Sequence, residues 1–223
     1  MTLSDITRPP SSLIDRASRL ATSTLANALD TAGLHDSVIA HIKAVAPGFR
    51  FAGPAVTVKE IAGAHGDFTS EDFRVGAMID AASSGDVIAV DCAGAEASTW
   101  GGMASLAAKL KGVAGLLVDG AVRDLEEMIE FDFPVFARHM VPTTGRLRLK
   151  IEEINVPVVI DGVAVSPGDI LVADGTGVVC LPSARAEELL EIAERLDRDD
   201  TAAVEDLRAG LTFTQAMAKY KGI

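Results

Sequence analysis

Two cysteines, one tryptophan, one tyrosine and eight phenylalanines are all that 223 residues contain of these types, and each scarcity removes a class of explanation. Two cysteines cannot build a disulfide framework. Cys92 and Cys180 both stand in apolar, strand-like surroundings, so both are expected to be reduced, buried and inert. With aromatics at 4%, Trp100 and Phe51 belong to no base-stacking platform. Lys and Arg number 20 against 32 Asp and Glu, a net charge of -12, and the basic residues form no stripe that could follow a phosphate backbone. Nucleic acid is not an expected partner. No apolar run approaches the ~20 residues of a membrane span, and the start lacks the basic-then-apolar order of a signal peptide. The expected location is the cytoplasm, with no membrane partner.

What is present is core-forming material: 48% of residues are hydrophobic and the mean hydropathy is +0.28. No linker divides the chain, so residues 1–223 read as one domain. Low order is expected only in the first ten residues, ending Arg8-Pro9-Pro10, and from Lys219 to Ile223. Helical spacing covers Ser11 to Arg19 and Ser23 to Asp30, the latter stopped by Gly33. From Phe51 short extended runs take over: Ala55 to Ile61, Val87 to Asp91, Gly115 to Asp119 and Pro134 to Ala137. Helical stretches separate them, Arg74 to Ala82, Gly102 to Lys111 and Leu125 to Glu130, and that alternation predicts an α/β fold.

After Thr143 the pattern is mostly β, with Asn155 to Ile160, a hairpin turn at Asp161-Gly162, Val163 to Val165, a turn at Pro167-Gly168, Ile170 to Ala173 and Val178 to Leu181. A long helix from Ala184 to Leu196 and another near Thr201 to Ala209 complete the chain. One internal echo stands out, Ser84-Gly85-Asp86 before the strand ending at Asp91 against Pro167-Gly168-Asp169 before the strand ending at Asp174. Each is a turn feeding a buried strand, which is compatible with two strand layers of similar construction.

The densest information lies between Gly112 and Asp124. There an apolar strand ends in a glycine turn and delivers Arg123 and Asp124 side by side, just before the helix of Leu125 to Glu130. Ligands of open α/β proteins gather at the carboxyl ends of strands. The same residues admit a plain structural role: Asp124-Leu125-Glu126-Glu127 has the spacing of a capping box, and Arg123 has Asp91 or Asp119 as possible ion-pair partners. Upstream, the glycine-rich segment Asp91 to Met103 joins a strand to a helix. A helix starting near Gly101 or Gly102 aims free N–H groups into that loop, where they and the helix dipole favour a carboxylate or phosphate.

The chain has four histidines, the side chains suited to proton transfer near neutral pH. His65, in the glycine-bracketed loop Gly63 to Asp67, and His139, at the end of the Phe136-Ala137-Arg138 strand, are candidate bases. His35 and His41 flank a polar helix-loop stretch and read as structural.

The run Gly112 to Asp124, preceded by Trp100 to Lys109, followed by Phe133 to Arg138, and joined later by Val165 to Pro182, resembles the RraA-like family over roughly residues 24–196. That family includes 4-hydroxy-4-methyl-2-oxoglutarate and 4-carboxy-4-hydroxy-2-oxoadipate aldolases, which also decarboxylate oxaloacetate, and regulators of ribonuclease E. The resemblance implies a three-layer β/β/α fold of the swivelling-domain type, with flanking terminal helices, assembled as a homotrimer or homohexamer with clefts near subunit boundaries. It implies that Asp124 holds a divalent metal, Mg²⁺ or else Mn²⁺, that Arg123 binds the 2-oxo acid end, and that backbone amides of Gly101, Gly102 and Met103 take the substrate carboxylate. The chain departs from the aldolase pattern at one place. Twenty-one positions before the arginine the aldolases carry an acidic residue, and here that position is Gly102. Glu96, Asp67 and Glu71 are the expected substitutes, Glu96 first. The function implied is metal-dependent lysis of a small 2-oxo acid through a pyruvate enolate; a ribonuclease regulator, or a hydro-lyase or isomerase of a hydroxy acid, is the alternative.

Overall fold

The computed structural model describes residues 6–220. Helices α1 (Ser11–Ala17) and α2 (Thr22–Thr31) lead into the short strands β1 (Val38–Ile39) and β2 (Lys43–Ala44) and the long strand β3 (Phe51–Ala62). Then come α3 (Val75–Ala81), β4 (Val87–Asp91), β5 (Ser98–Trp100), α4 (Gly102–Lys111), β6 (Gly115–Val122), α5 (Leu125–Glu130) and β7 (Val135–Met140). The C-terminal part holds β8 (Leu149–Ile154), β9 (Val158–Ile160), β10 (Val163–Val165), β11 (Ile170–Ala173), β12 (Val178–Leu181), α6 (Ala186–Arg208) and α7 (Phe213–Lys219).

Strand β3 belongs to two layers at once. Its first half pairs antiparallel with β11, from Phe51 opposite Ala173 to Pro54 opposite Ile170, and its second half runs parallel to β4, from Ala55 beside Val87 to Lys59 beside Asp91. The order is β1-β12-β11-β3-β4-β6-β7-β2, with β5 on β6 and β8 on β3. One layer is thus antiparallel and the other mostly parallel, with helices packed outside, which is the expected mixed α/β arrangement. All eight residues of β6 are buried, as a central parallel strand covered on both faces requires. One core cluster fills the parallel layer, including Leu116, Leu117, Val118 and Phe136; a second joins α1, α2 and α6 to β11 and β12 through Leu25, Leu29, Val172, Leu189 and Leu190.

The internal echo is a true local duplication. Gly85 and Gly168 both adopt positive φ, +87° and +88°, and in each turn the following aspartate accepts a backbone N–H three residues back: Ser83 to Asp86 at 2.6 Å, Ser166 to Asp169 at 2.8 Å. The two turns launch β4 and β11, the two strands that flank β3.

Several expectations need correction. Gly120 is not a turn: β6 runs through it to Val122, with a register shift against β7 between Val118 and Ala121 absorbing the irregularity. The strand expected from Asn155 starts at Val158, because Asn155 sits at φ +61° and breaks the run; the charged segment Leu149–Ile154 before it is the strand β8. The two C-terminal helices expected are one continuous α6, followed by α7. Low order was expected through Pro10, yet Arg8 is held by Asp86 at 2.8 Å. At the other end Lys219 closes α7 and the Tyr220 hydroxyl donates to Asp206 at 2.8 Å, while residues 221–223 lie outside the described residues. Cys92 and Cys180 are buried and unpaired, as expected.

Candidate active site

Strand β6 carries the chain out of the sheet at Val122, and the next two residues are set by hydrogen bonds rather than by packing. The Arg123 N–H donates to Trp100 O at 3.0 Å, tying the end of β6 to β5. Asp124 then takes the left-handed conformation, φ 62° and ψ 47°. For a residue other than glycine this costs about 1–2 kcal/mol, least for Asp and Asn.

The capping-box reading of Asp124 is overturned by its side chain, which makes no hydrogen bond to the start of α5. Its Oδ2 accepts the Gly102 N–H instead, at 3.1 Å, so Asp124 caps the neighbouring helix α4. Arg123 pairs with neither Asp91 nor Asp119. Its Nε lies 3.4 Å from Asp124 Oδ2, with the two side chains 43% and 37% exposed, while Asp119 is taken by Arg138 at 2.6 Å. Arg123 therefore keeps its guanidinium available beside a half-exposed carboxylate.

Gly101 and Gly102 are small for a visible reason. A Cβ on Gly101 would stand 2.5 Å from Asp124 Oδ2 and 3.3 Å from Arg123 Nε. One on Gly102 would fall inside the Glu127 carboxylate, 2.5 Å from its Cδ and nearer still to Oε2. The two glycines let α4 begin against two carboxylates contributed by the β6–α5 corner. Trp100 anchors this corner: its Nε1–H donates to Ser105 Oγ at 2.9 Å and its ring stacks on Phe133 at 6.2 Å.

These residues line a cavity of about 430 Å³, walled by Ser98, Thr99, Trp100, Gly101, Gly102, Met103, Ala104, Arg123, Asp124, Glu127 and Thr144, together with Phe73 and Val75. The volume suits a small molecule. Of the expected site residues, Gly101, Gly102, Met103, Arg123 and Asp124 are brought together here. His65, His139, Glu96, Asp67 and Glu71 do not line the cavity. His65 and Glu96 lie exposed in loops, His139 sits on β7 beside Ala121, and Asp67 Oδ2 is occupied by the Ala64 N–H of its own turn at 2.7 Å. His41, read as structural, packs its ring and its backbone N–H against Asp161. Gly102's amide is engaged by Asp124, so the N–H groups left free in the first turn of α4 are those of Met103 and Ala104.

The residue that sequence reasoning missed is Glu127. It was visible only as the last member of a capping box, and its placement depends on the space that Gly102 leaves open. Among the described residues Asp124 Oδ1 and both Glu127 oxygens accept no hydrogen bond from the protein, and no three Asp, Glu, His or Cys side chains are grouped to hold a metal ion. Two carboxylates fit a hard cation that keeps several waters, Mg²⁺ or Mn²⁺, and fall short of what zinc requires.

Fold and site together define an α/β protein with an anion-receptive, two-carboxylate pocket at the end of a parallel strand. More narrowly, the chain belongs to the RraA-like family: the Aldolase/RraA family model matches residues 22–180. A Halalkalibacterium halodurans protein, provisionally named a 4-hydroxy-4-methyl-2-oxoglutarate aldolase, is 33% identical over 184 residues, 82% of each chain. An uncharacterised Methanocaldococcus jannaschii protein is 43% identical over 115 residues, and there the chain spans 55% of the relative's length. Among solved structures, an uncharacterised Pseudomonas syringae protein superposes with TM-score 0.84 at 30% identity, covering 94% of this chain and 98% of that one. Streptomyces coelicolor RraAS2, described as an unusual member of the RNase ES inhibitor RraA family, gives 0.79 at 27% identity over 90% of this chain and 100% of its own.

Proposed function

We propose that this protein is a divalent-metal-dependent lyase that cleaves or decarboxylates a small 2-oxo acid. The observation that carries the reading is the Glu127 carboxylate filling the place of a side chain on Gly102, the position where the aldolases of the family carry their acidic residue. Asp124 and Glu127 together would hold Mg²⁺ or Mn²⁺ and its waters, and the bound ion would supply Lewis-acid stabilisation for the charge that cleavage leaves.

The remaining work falls to the chain's own groups. Arg123 offers a planar fork that matches a carboxylate and the adjacent keto oxygen. The Met103 N–H, with the positive end of α4 behind it, receives the acid end of the substrate, and Gly101 and Gly102 let that backbone approach closely. Breaking a carbon–carbon bond next to a 2-oxo acid leaves a pyruvate enolate, and fixed positive groups at that point lower the barrier only because they bind the enolate better than the substrate.

Several apolar side chains are exposed on the elements that carry the site: Met103 at 86% and Leu110 at 80% on α4, Ile129 on α5 and Met140 on β7. They support assembly as a homotrimer or homohexamer with a neighbouring subunit closing the cleft. No described helix is long and apolar enough to cross a membrane, and the expected cytoplasmic location is retained as part of the same reading.

The test is pyruvate release from oxaloacetate by pure protein with Mg²⁺ or Mn²⁺ and with excess chelator. Metal-dependent release supports the reading. The absence of metal-dependent turnover of any 2-oxo or hydroxy acid, together with stable association with a ribonuclease, would favour the regulator reading that the likeness to RraAS2 supports. A protein that dehydrates or isomerises a hydroxy acid without cleaving oxaloacetate would favour the hydro-lyase alternative.

A further inference from the structure

Arg123 and Asp124 line two cavities. Besides the one of about 430 Å³, a second of about 330 Å³ is walled by the same two residues with Val122, Leu125, Glu126, Met140, Val141 and Pro142. The two cavities share no other residue, so the Arg123–Asp124 corner stands between them. Whatever reacts at that corner has room for one part of itself in each.

The second cavity differs in chemistry from the first. The Val141 N–H donates to Val122 O at 3.0 Å, tying the end of β7 to the end of β6, and Pro142 has no N–H to offer. Val122 is buried, Leu125 and Val141 are half-buried, and Met140 is 60% exposed, so aliphatic surface faces any occupant. Apart from Arg123, the charged side chains of this wall are Asp124 and Glu126, and the first turn of α5 adds Glu127 to Glu126. Arg123 itself is directed to the 2-oxo acid end and has Asp124 Oδ2 3.4 Å from its Nε. A carboxylate placed here would meet like charge and no cation of its own, whereas an alkyl group would meet carbon.

We propose that the second cavity takes the far end of the substrate and that this end is uncharged and aliphatic, so that the substrate is a 4-hydroxy-2-oxo acid carrying an alkyl group on its fourth carbon. This rests on the lyase reading, with the 2-oxo acid end in the first cavity and the breaking bond at the corner. The bond between the third and fourth carbons breaks, and its electron pair stays with the pyruvate half as an enolate. The hydroxyl on the fourth carbon gives its proton to water and becomes the carbonyl of a released aldehyde; the enolate takes a proton from water and becomes pyruvate. Substrate thus equals pyruvate plus aldehyde, with nothing oxidised or reduced overall. Met140, Val141 and Leu125 set the specificity of the second cavity, and Glu126 disfavours acidic ends.

The experiment measures pyruvate release with Mg²⁺ from 4-hydroxy-2-oxohexanoate, which leaves propanal, and from 4-hydroxy-2-oxoglutarate, which leaves glyoxylate. Wild type should favour the hexanoate at least tenfold in kcat/KM. Met140→Arg and Glu126→Arg each place a cation in the second cavity, at exposed positions, and each should lower that ratio at least fivefold. A variant that merely folds less well slows both substrates together and leaves the ratio alone; should Met140→Arg fail to fold, Glu126→Arg decides. A smaller wild-type preference, or a smaller shift in the ratio, overturns the aliphatic subsite. Oxaloacetate, which leaves only carbon dioxide and has no use for the second cavity, is measured with wild type alongside. If it is cleaved while the two hydroxy acids are not distinguished, the subsite fails and the lyase reading stands; if no pyruvate comes from any of the three, both fail.

Discussion

Glu127 lends its carboxylate to the place that a side chain on Gly102 would occupy, so two residues 25 positions apart in sequence answer to one another in space. The corner after β6 makes this happen: Asp124 turns the chain through a left-handed conformation, α5 starts at once, and Glu127 on its first turn faces the start of α4. A carboxylate can therefore be moved from one helix to the other. Glu127→Ala should weaken Mn²⁺ binding at least tenfold in a Trp100 fluorescence titration. Gly102→Asp combined with Glu127→Ala should return it to within about fivefold of wild type, while Gly102→Asp alone gains nothing because Glu127 is in the way. Unchanged binding in Glu127→Ala would remove Glu127 from the site.

Asp124 has two separable duties, charge and cap. Asp124→Asn keeps an oxygen for the Gly102 N–H and a residue type that tolerates positive φ, so its melting temperature should stay close to wild type while metal-dependent turnover falls at least a hundredfold. Asp124→Ala should lose turnover and also about 1–2 kcal/mol of stability, a few degrees in melting temperature for a chain of this size. Turnover that survives in both variants would leave Asp124 as a helix cap only.

Arg123→Lys separates geometry from charge. The side chain is nearly half exposed and its one ion-pair contact is at 3.4 Å, so the change should alter stability by no more than about 0.5 kcal/mol. It should nonetheless cost most of kcat/KM for oxaloacetate, since an ammonium cannot form two parallel hydrogen bonds. A lysine variant with near wild-type kcat/KM would show that the fork is not used.

Away from the cavity, Arg138 joins Asp119 and Asp161, at 2.6 and 2.7 Å, and both carboxylates are nearly buried. Burial pulls Asp161 upward, but the His41 backbone N–H, Arg138 and the His41 ring outweigh it and hold its pKa below the ordinary carboxylate value. A depressed native pKa contributes stability above the unfolded value near 4 and loses it as pH falls through the native one. Arg138→Leu should then cost about 3 kcal/mol at pH 7 in urea unfolding, because two buried charges lose their partner. The gap should narrow as the pH is lowered from 7 toward 3. A gap that stays constant would mean the pair contributes nothing through its ionisation.

How legible was this in the sequence? The alternation of apolar strands and helices from Phe51 to Ala137 showed the parallel layer, because buried strands there carry continuous hydrophobic runs. Arg123 and Asp124 were legible as a strand-end pair for the same reason. Strand β8, Leu-Lys-Ile-Glu-Glu-Ile, was not, since its alternation is interrupted by two adjacent glutamates at a bulged edge. Gly120 looked like a turn because glycine punctuates, yet the sheet absorbed it as an irregularity. The second carboxylate was hidden most deeply: the notable fact at Gly102 is an absence, and which distant side chain fills it is decided by the angle between α4 and α5. Glu96, Asp67 and Glu71 were expected there from nearness in sequence or chemistry alone, and the fold leaves all three outside the cavity.

As proposed above, Arg123, Asp124 and Glu127 form a metal-dependent carbon–carbon lyase site. It is tested most directly by following pyruvate release from oxaloacetate in wild type and Asp124→Asn side by side, each with Mg²⁺ and with chelator. Release by wild type should depend on the metal and fall at least a hundredfold in the variant. Metal-independent release equal in the two proteins, or none in either, would contradict it.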